Sequence, residues 1–129
     1  MKIRAIMIDC TDHYAQCRWW ESVLDDYADA PDDPNCPDDE TMTLVGPEAQ
    51  PWLCFQRVED PERTKNRLHF DLHPLGRTRD EEVERLLELG ATVVGDHRRP
   101  NGSGWVTMAD PEGNEFCVER SEAEMAAGQ

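Results

Sequence analysis

Apolar and polar residues alternate in several short runs along this chain, and stretches of helical spacing lie between them. Residues 3–10 read as a strand with Ile6 and Ile8 on its core face and Ala5, Met7 and Asp9 on the other. Residues 13 to about 27 read as a helix started by Thr11 or Asp12, either of which can accept a hydrogen bond from the free amides of the first turn. Its buried stripe is expected along Ala15, Trp19, Val23 and Leu24 or Tyr27, with Trp19 in the core and Trp20 at an edge or near the mouth of a cleft. Residues 41–45 and 52–58 follow as two strands joined by a turn at Gly46-Pro47.

Residues 67–73 form the next alternating run, with Leu68, Phe70 and Leu72 on one face and His69, Asp71 and His73 on the other. Asp80 is the expected cap of a second helix that buries Val83, Leu86, Leu87 and Leu89 and stops at Gly90. Residues 92–96 make a short strand, and residues 98–104, RRPNGSG, make a flexible loop that acts as a lid or simply joins strands. Residues 105–108 and 115–119 form a hairpin whose turn is shaped by Asp110 and Gly113. In its second strand Phe116 and Val118 face a core, while Glu115, Cys117 and Glu119 face away.

These elements repeat. LCFQR at 53–57 matches FCVER at 116–120 position by position at an offset of 119 − 56 = 63, and residues 5–9 lie over residues 69–73 at an offset of 69 − 5 = 64. A helix follows the first strand of each copy, so the chain reads as two units of about sixty residues. The first spans about 1–60 and the second about 65–121, with a polar linker at 59–66 and a short C-terminal tail at 122–129.

Composition narrows the partners. A formal charge of −15, spread along 129 residues, disfavours nucleic acid and anionic membrane surfaces, both of which attract basic faces. Three prolines and a run of acids make residues 28–42 a solvated surface loop without the spacing of a helix-loop-helix calcium site. Five cysteines, an odd number without a CxxC pair, point to free thiols in a reducing cytoplasm. No apolar run reaches the length of a membrane span.

The order strand, helix and three strands, written twice, carries KNRLHFDL at 65–72, LLELGATVV at 86–94 and WVTMADPEGNEFCVE at 105–119. In these features the chain resembles the glyoxalase-like branch of the vicinal oxygen chelate superfamily over nearly its whole length. The resemblance implies an α+β fold of two tandem βαβββ modules, each a curved mixed sheet around a cleft with its helix on the outer face. It does not select an activity, because that superfamily holds glyoxalases, epimerases, extradiol dioxygenases, thiol transferases and bleomycin-type binding proteins. The outer, helix-facing set is expected to be Ile6, Ile8, Leu53, Phe55, Leu68, Phe70, Phe116 and Val118. The cleft is expected to receive Ala5, Met7, Asp9, Trp52, Cys54, Gln56, His69, Asp71, Cys117 and Glu119.

Metal-dependent proteins of this type take ligands from the first and last strands of each module, positions that fall here on Ala5 and Gln56, then on His69 and Glu119. His69 and Glu119 suit a divalent ion such as Zn, Ni, Mn or Fe, Gln56 offers a neutral carbonyl oxygen, and Ala5 offers nothing. Asp9, Asp71 or His73 would have to substitute, yet two residues along a strand span about 7 Å, so one ion is not expected to hold His69, Asp71 and His73 together. Without a metal, His69 is a hydrogen-bonded histidine held by Glu119. His13 and His97 fall in surface segments and receive no role.

Two functions follow. One is a metal-assisted lyase, isomerase or dioxygenase acting through His69 and Glu119 on a small oxygenated substrate, with Glu119 or Asp71 as the proton-transfer base. The other is a binding protein that sequesters a small molecule in a cleft lined by Met7, Asp9, Trp52, Gln56 and Trp105. The vacancy at Ala5 moves the expectation away from glyoxalase I activity and toward metal-independent binding, with enzyme activity and ligand identity left open. The net charge favours a neutral or cationic ligand. The resemblance also implies a homodimer, with the cleft inside one chain or shared across two.

Overall fold

A computed structural model of the chain describes residues 2–59 and 68–128. Nearly all of the expected linker at 59–66, residue 67 of the expected strand and the first three residues of KNRLHFDL lie outside the described residues. The chain forms two compact units, Met1–Arg63 and Thr64–Gln129.

Unit 1 contains β1 (Ala5–Cys10), α1 (His13–Val23), β2 (Ala28–Asp29), β3 (Thr41–Val45) and β4 (Trp52–Arg57). Its sheet has the order β1-β4-β3-β2, with β1 parallel to β4 and the other pairs antiparallel. Unit 2 contains β5 (Phe70–Leu72), α2 (Arg79–Glu88), β6 (Thr92–Asp96), β7 (Val106–Ala109) and β8 (Glu115–Val118), in the equivalent order β5-β8-β7-β6, followed by α3 (Glu122–Ala126). Each unit is therefore a βαβββ module with a mixed four-stranded sheet, and the fold is α+β. The parallel pair in each unit requires a crossover, which the first helix and the following strands supply.

The pairing register agrees with the sequence repeat. Ile6 stands beside Leu53 and Ile8 beside Phe55 in unit 1, and their counterparts Phe70 and Leu72 stand beside Phe116 and Val118 in unit 2. Leu53, Phe55, Phe116 and Val118 are buried, and so are Met42, Leu44, Val106 and Met108 on the neighbouring strands. Helix α1 packs on β3 and β4, and α2 packs on β8. Ile6, Ile8 and Phe70 are half-buried, whereas Leu68 is exposed, because β5 begins only at Phe70 and gives Leu68 no sheet neighbour.

Several local expectations need correction. Helix α1 ends at Val23 and buries His13, Gln16, Cys17, Trp20 and Val23, so Trp20 is core and Trp19 is half-buried against it, edge to face at 5.1 Å. That stripe follows the i, i+3, i+4, i+7 spacing of a helix face, but polar His13 and Gln16 occupy two of its places and disguise it. His13 is buried and pairs through Nε2 with the Asp39 carbonyl. Asp12, one of the two expected caps, accepts from the Ala15 amide.

In unit 2 the cap of α2 is Thr78, two residues before Asp80, and it forms a reciprocal capping box with Glu81. Val83 and Leu86 are buried as expected, but Leu87 is exposed and Leu89 half-buried, because Arg79 and Glu82 share the buried face. Gly90, at φ 101°, ends the helix in the left-handed region. The C-terminal tail holds α3, started by the same kind of box between Ser121 and Glu124.

Residues 31–41 are mostly exposed, as expected of a solvated surface loop, but the segment is tied to the sheet. Ala28–Asp29 pairs with β3, and the Arg18 guanidinium donates to both oxygens of Asp29 at 2.9 and 3.0 Å. The Asn35 side-chain amide donates to the Thr43 carbonyl and accepts from the Thr43 amide, each at 2.9 Å, so one side chain gives β3 what a neighbouring strand would. No helix among the described residues is long and apolar enough to cross a membrane.

Candidate functional site

A cleft of about 780 Å³ opens on unit 2. Alternation places Asp71, Thr107 and Cys117 on one face of β5, β7 and β8, and His69 and Glu119 extend that face at the strand ends. Trp105, at the entry to β7, forms part of the wall, joined by His97, Arg99, Ser103 and Gly104 from the loop before it and by Arg120 and Met125 beyond β8.

The loop is fastened down. Arg79, buried in α2, donates from Nη1 to the carbonyls of Gly102, Ser103 and Gly104 at 3.1, 3.2 and 3.0 Å. Gly104 has a φ of 96°, and a Cβ there would lie 2.0 Å from the His97 carbonyl oxygen, so glycine is required for this close approach. His97 thereby stacks on Trp105 with centroids 4.8 Å apart, and the Arg99 guanidinium lies 5.8 Å from the same ring. The segment expected as a free lid or a plain connection is a fixed wall, and His97, given no role from sequence, belongs to it.

At the centre of the face, His69 Nε2 lies 3.1 Å from Asp71 Oδ1. Cys117 is the register partner of both Asp71 and Thr107, and its Sγ lies 3.5 Å from the Thr107 hydroxyl. Burial raises the Cys117 thiol above its ordinary value, with the Asp71 and Glu119 carboxylates adding to the effect and the Thr107 hydrogen bond opposing it. One donor atom from each of His69, Asp71 and Cys117 lies within 4.8 Å of the others. His73 points to Glu122 instead, at 3.9 Å. The 7 Å spacing along the strand separates backbones, and the His69 and Asp71 side chains lean across it.

Arg120 lines the cleft, and its Nη1 is buried without a hydrogen-bond partner among the described residues, a donor that sequence reasoning did not single out. An arginine two residues past a strand that carries a site residue is the available signal. Of the expected ligand-binding residues, Trp105 lies in this cleft, and so do the expected acid-base residues Asp71 and Glu119. Met7, Asp9, Trp52 and Gln56 belong to the unit 1 sheet, where Asp9 stands beside Gln56 and the Arg4 guanidinium lies 5.4 Å from the Trp52 ring. Met7 and Trp52 are both exposed.

Of the four metal positions implied by the resemblance, the first lacks a ligand. Ala5 has no donor atom, and Glu119 stands outside the converging cluster of His69, Asp71 and Cys117.

A family model described as a glyoxalase-like domain matches residues 5–119. No curated protein matches the chain significantly. Among solved structures, a member of the glyoxalase/bleomycin resistance protein/dioxygenase superfamily from Sphaerobacter thermophilus is 22% identical, with a TM-score of 0.63 over 95% of this chain and 98% of that one. The genomically encoded fosfomycin resistance protein FosX from Listeria monocytogenes aligns with a TM-score of 0.67 at 16% identity, over 95% of this chain and 93% of that one. A mutant of FosX complexed with Mn(II) and 1S,2S-dihydroxypropylphosphonic acid aligns with a TM-score of 0.65 at 14% identity, over 98% and 97% of the two chains.

Proposed function

The chain belongs to the glyoxalase-like domain family, and from that premise we propose that it binds a small molecule in the unit 2 cleft without the four-ligand metal centre of its metal-dependent relatives. The observation that carries this reading is the pairing of a fixed aromatic wall with an unsatisfied donor. Trp105 lines the cleft, steadied by the His97 ring stacked on it and the Arg99 guanidinium 5.8 Å from its centroid, so its remaining surface can cover an apolar or planar part of a ligand, and Arg120 Nη1 is buried with no hydrogen-bond partner among the described residues. A buried, unpaired guanidinium hydrogen is costly, and a turn of the Arg120 side chain that brought Nη1 to an oxygen acceptor on the ligand would remove that cost. Asp71 and Glu119 add acceptors for hydroxyl or amine groups, so the cleft suits a small molecule that carries both donors and acceptors. A cytoplasmic homodimer goes with the reading, and the free state of all five cysteines supports a reducing compartment.

The test is a ligand screen by melting temperature on chelator-treated protein. The expected hit raises the melting temperature with metal absent and loses at least tenfold in affinity in Trp105→Ala and in Arg120→Met. The second reading, a divalent-metal-dependent lyase, isomerase or dioxygenase, draws support from the presence of His69 and Glu119 on one cleft and from the Mn(II) complex of FosX. Conversion of a glutathione hemithioacetal at an enzyme-like rate, abolished by His69→Ala, would overturn the binding reading in its favour.

A further inference from the structure

We propose that His69, Asp71 and Cys117 form a binding site for a zinc-like cation on the floor of the unit 2 cleft, different in ligand set from the His69 and Glu119 arrangement implied by the fold family. Cys54 and Cys117 are equivalent in the repeat, and each faces a threonine across the antiparallel ladder, Thr43 Oγ1 at 3.6 Å in unit 1 and Thr107 Oγ1 at 3.5 Å in unit 2. In both copies the parallel first strand lies on the other side of the cysteine. In unit 1 that strand presents Met7 beside Cys54, with Ala5 two residues before it, and neither offers a strong metal donor. In unit 2 the same two places hold Asp71 and His69. One backbone frame therefore carries a plain thiol in unit 1 and a thiol flanked by a carboxylate and an imidazole in unit 2.

The donor geometry is close to what an ion requires. Zn²⁺ with bonds of about 2.0 to 2.3 Å holds its tetrahedral ligand atoms about 3.3 to 3.7 Å from one another. The His69 and Asp71 atoms are already 3.1 Å apart, and all three donors fall within 4.8 Å of each other, so small rotamer adjustments close the set. Both His69 and Asp71 are about half-exposed, which leaves them free to make those adjustments and leaves the fourth position open to the cleft. Nitrogen, carboxylate oxygen and sulfur together select a borderline ion such as Zn²⁺ over Mg²⁺, Ca²⁺ or Mn²⁺, which prefer oxygen-rich sites. The Thr107 hydroxyl can donate to the thiolate, a supporting contact of the kind that tunes metal ligands. This inference goes beyond the ligand-binding reading and stands independently of it, since the cation site is defined by its own donors.

The experiment is a titration of reduced, chelator-treated full-length protein with Co²⁺, read by the near-ultraviolet charge-transfer band that a thiolate bound to Co²⁺ produces, followed by competition with Zn²⁺. The expected result is a band that saturates at one Co²⁺ per chain and is displaced by Zn²⁺. It should vanish in Cys117→Ser and require at least tenfold more Co²⁺ in Asp71→Asn and in His69→Ala. It should persist in Cys54→Ser, the equivalent thiol of unit 1, in Cys36→Ser, the exposed thiol, and in Glu119→Gln. Circular dichroism of Cys117→Ser separates loss of a ligand from loss of the fold. No thiolate band in the wild type, or a band that survives in folded Cys117→Ser, overturns the proposal. So does Co²⁺ binding without a thiolate band that disappears in Glu119→Gln, which would instead restore the family-type arrangement. Failure here leaves the chelator-treated ligand screen untouched, and failure of that screen leaves this band untouched.

Discussion

Arg79 offers a quantitative test of the claim that the cleft wall is fixed by the helix behind it. Its side chain is almost fully buried, and its Nη1 serves three consecutive carbonyls, Gly102, Ser103 and Gly104, while Nε reaches Asp80 at 3.0 Å. Arg79→Met keeps most of the aliphatic volume and removes every one of these bonds. One nitrogen with two hydrogens cannot make three full bonds, so the loss is nearer two charge-assisted hydrogen bonds at about 1.5 to 3 kcal/mol each than three. Water can reach the half-buried glycine carbonyls and recover part of this, and the solvent-facing contact with Asp80 adds little. A net loss of about 2 to 3 kcal/mol remains, or a fall of about 10 °C in melting temperature for a domain of this size. The main-chain amide of residue 79 still donates to Glu124 in the variant, so the anchoring of α3 is unaffected. Urea unfolding measures the stability change, and amide hydrogen exchange locates it. Exchange should accelerate at Arg99 and Gly102, whose amides close the loop, and stay unchanged at Met125 in α3. A stability within about 0.5 kcal/mol of the wild type, with unchanged exchange at Arg99 and Gly102, would refute the assignment of Arg79 as the fastening of this wall.

Three further outcomes follow from the same structure. Trp20→Ala should cost about 3 to 5 kcal/mol, as full truncation of a buried aromatic does, and half-buried Trp19→Ala clearly less; equal losses in chemical denaturation would contradict the observed helix face. Gly104→Ala combines a positive φ with a Cβ 2.0 Å from a carbonyl oxygen, whereas Gly113→Ala has a positive φ and open space, so the first should destabilise by at least about 2 kcal/mol more than the second. Asp29, hydrogen-bonded by Arg18 and Asn35, holds its proton less tightly in the folded chain than the ordinary value of 3.8. Its folded value is the lower one, so its contribution to stability is complete above 3.8 and is lost as the pH falls through the folded value. Asp29→Asn should therefore remove stability at pH 7 and flatten the acid limb of the stability curve below pH 4, and an acid limb parallel to that of the wild type would count against the Arg18–Asp29 pair.

What the sequence made legible was period and repeat. Strands of period two, such as Leu53 to Arg57 and Phe116 to Val118, match position by position, and the register places their partners as the offsets of 63 and 64 require. Features that depend on a polar side chain being buried were hidden. The α1 stripe includes His13 and Gln16, and α2 buries Arg79 and Glu82, so a search for apolar periodicity chose the wrong face in the first helix and overextended the second stripe to Leu87. Asn35 was hidden for a similar reason, because a side-chain amide that substitutes for a strand leaves no alternating pattern. The Ser121 and Glu124 spacing that starts α3 was present in the sequence as a capping box, and so was Thr78 with Glu81.

The candidate site was harder to read, because its chemistry depends on side-chain reach and local charge, neither of which a residue count contains. The strand spacing argued that one ion would not hold His69, Asp71 and His73 together, and His73 does turn to Glu122, but spacing alone did not reveal that the His69 imidazole and the Asp71 carboxylate meet. The formal charge of −15 argued for a neutral or cationic ligand, but charges beyond the screening length of about 8 Å contribute little to a ligand in a cleft. Arg99 and Arg120 line this cleft alongside Asp71, Glu115 and Glu119, so it is locally mixed in charge whatever the chain carries elsewhere. The two copies make the same point from inside the molecule: identical topology and an equivalent threonine–cysteine contact surround Ala5 and Met7 in one unit and His69 and Asp71 in the other. Two positions at the first strand, Ala5 and Met7 in one copy and His69 and Asp71 in the other, change what one face of a repeated module can offer a ligand, which is why shared fold predicts so little about shared chemistry.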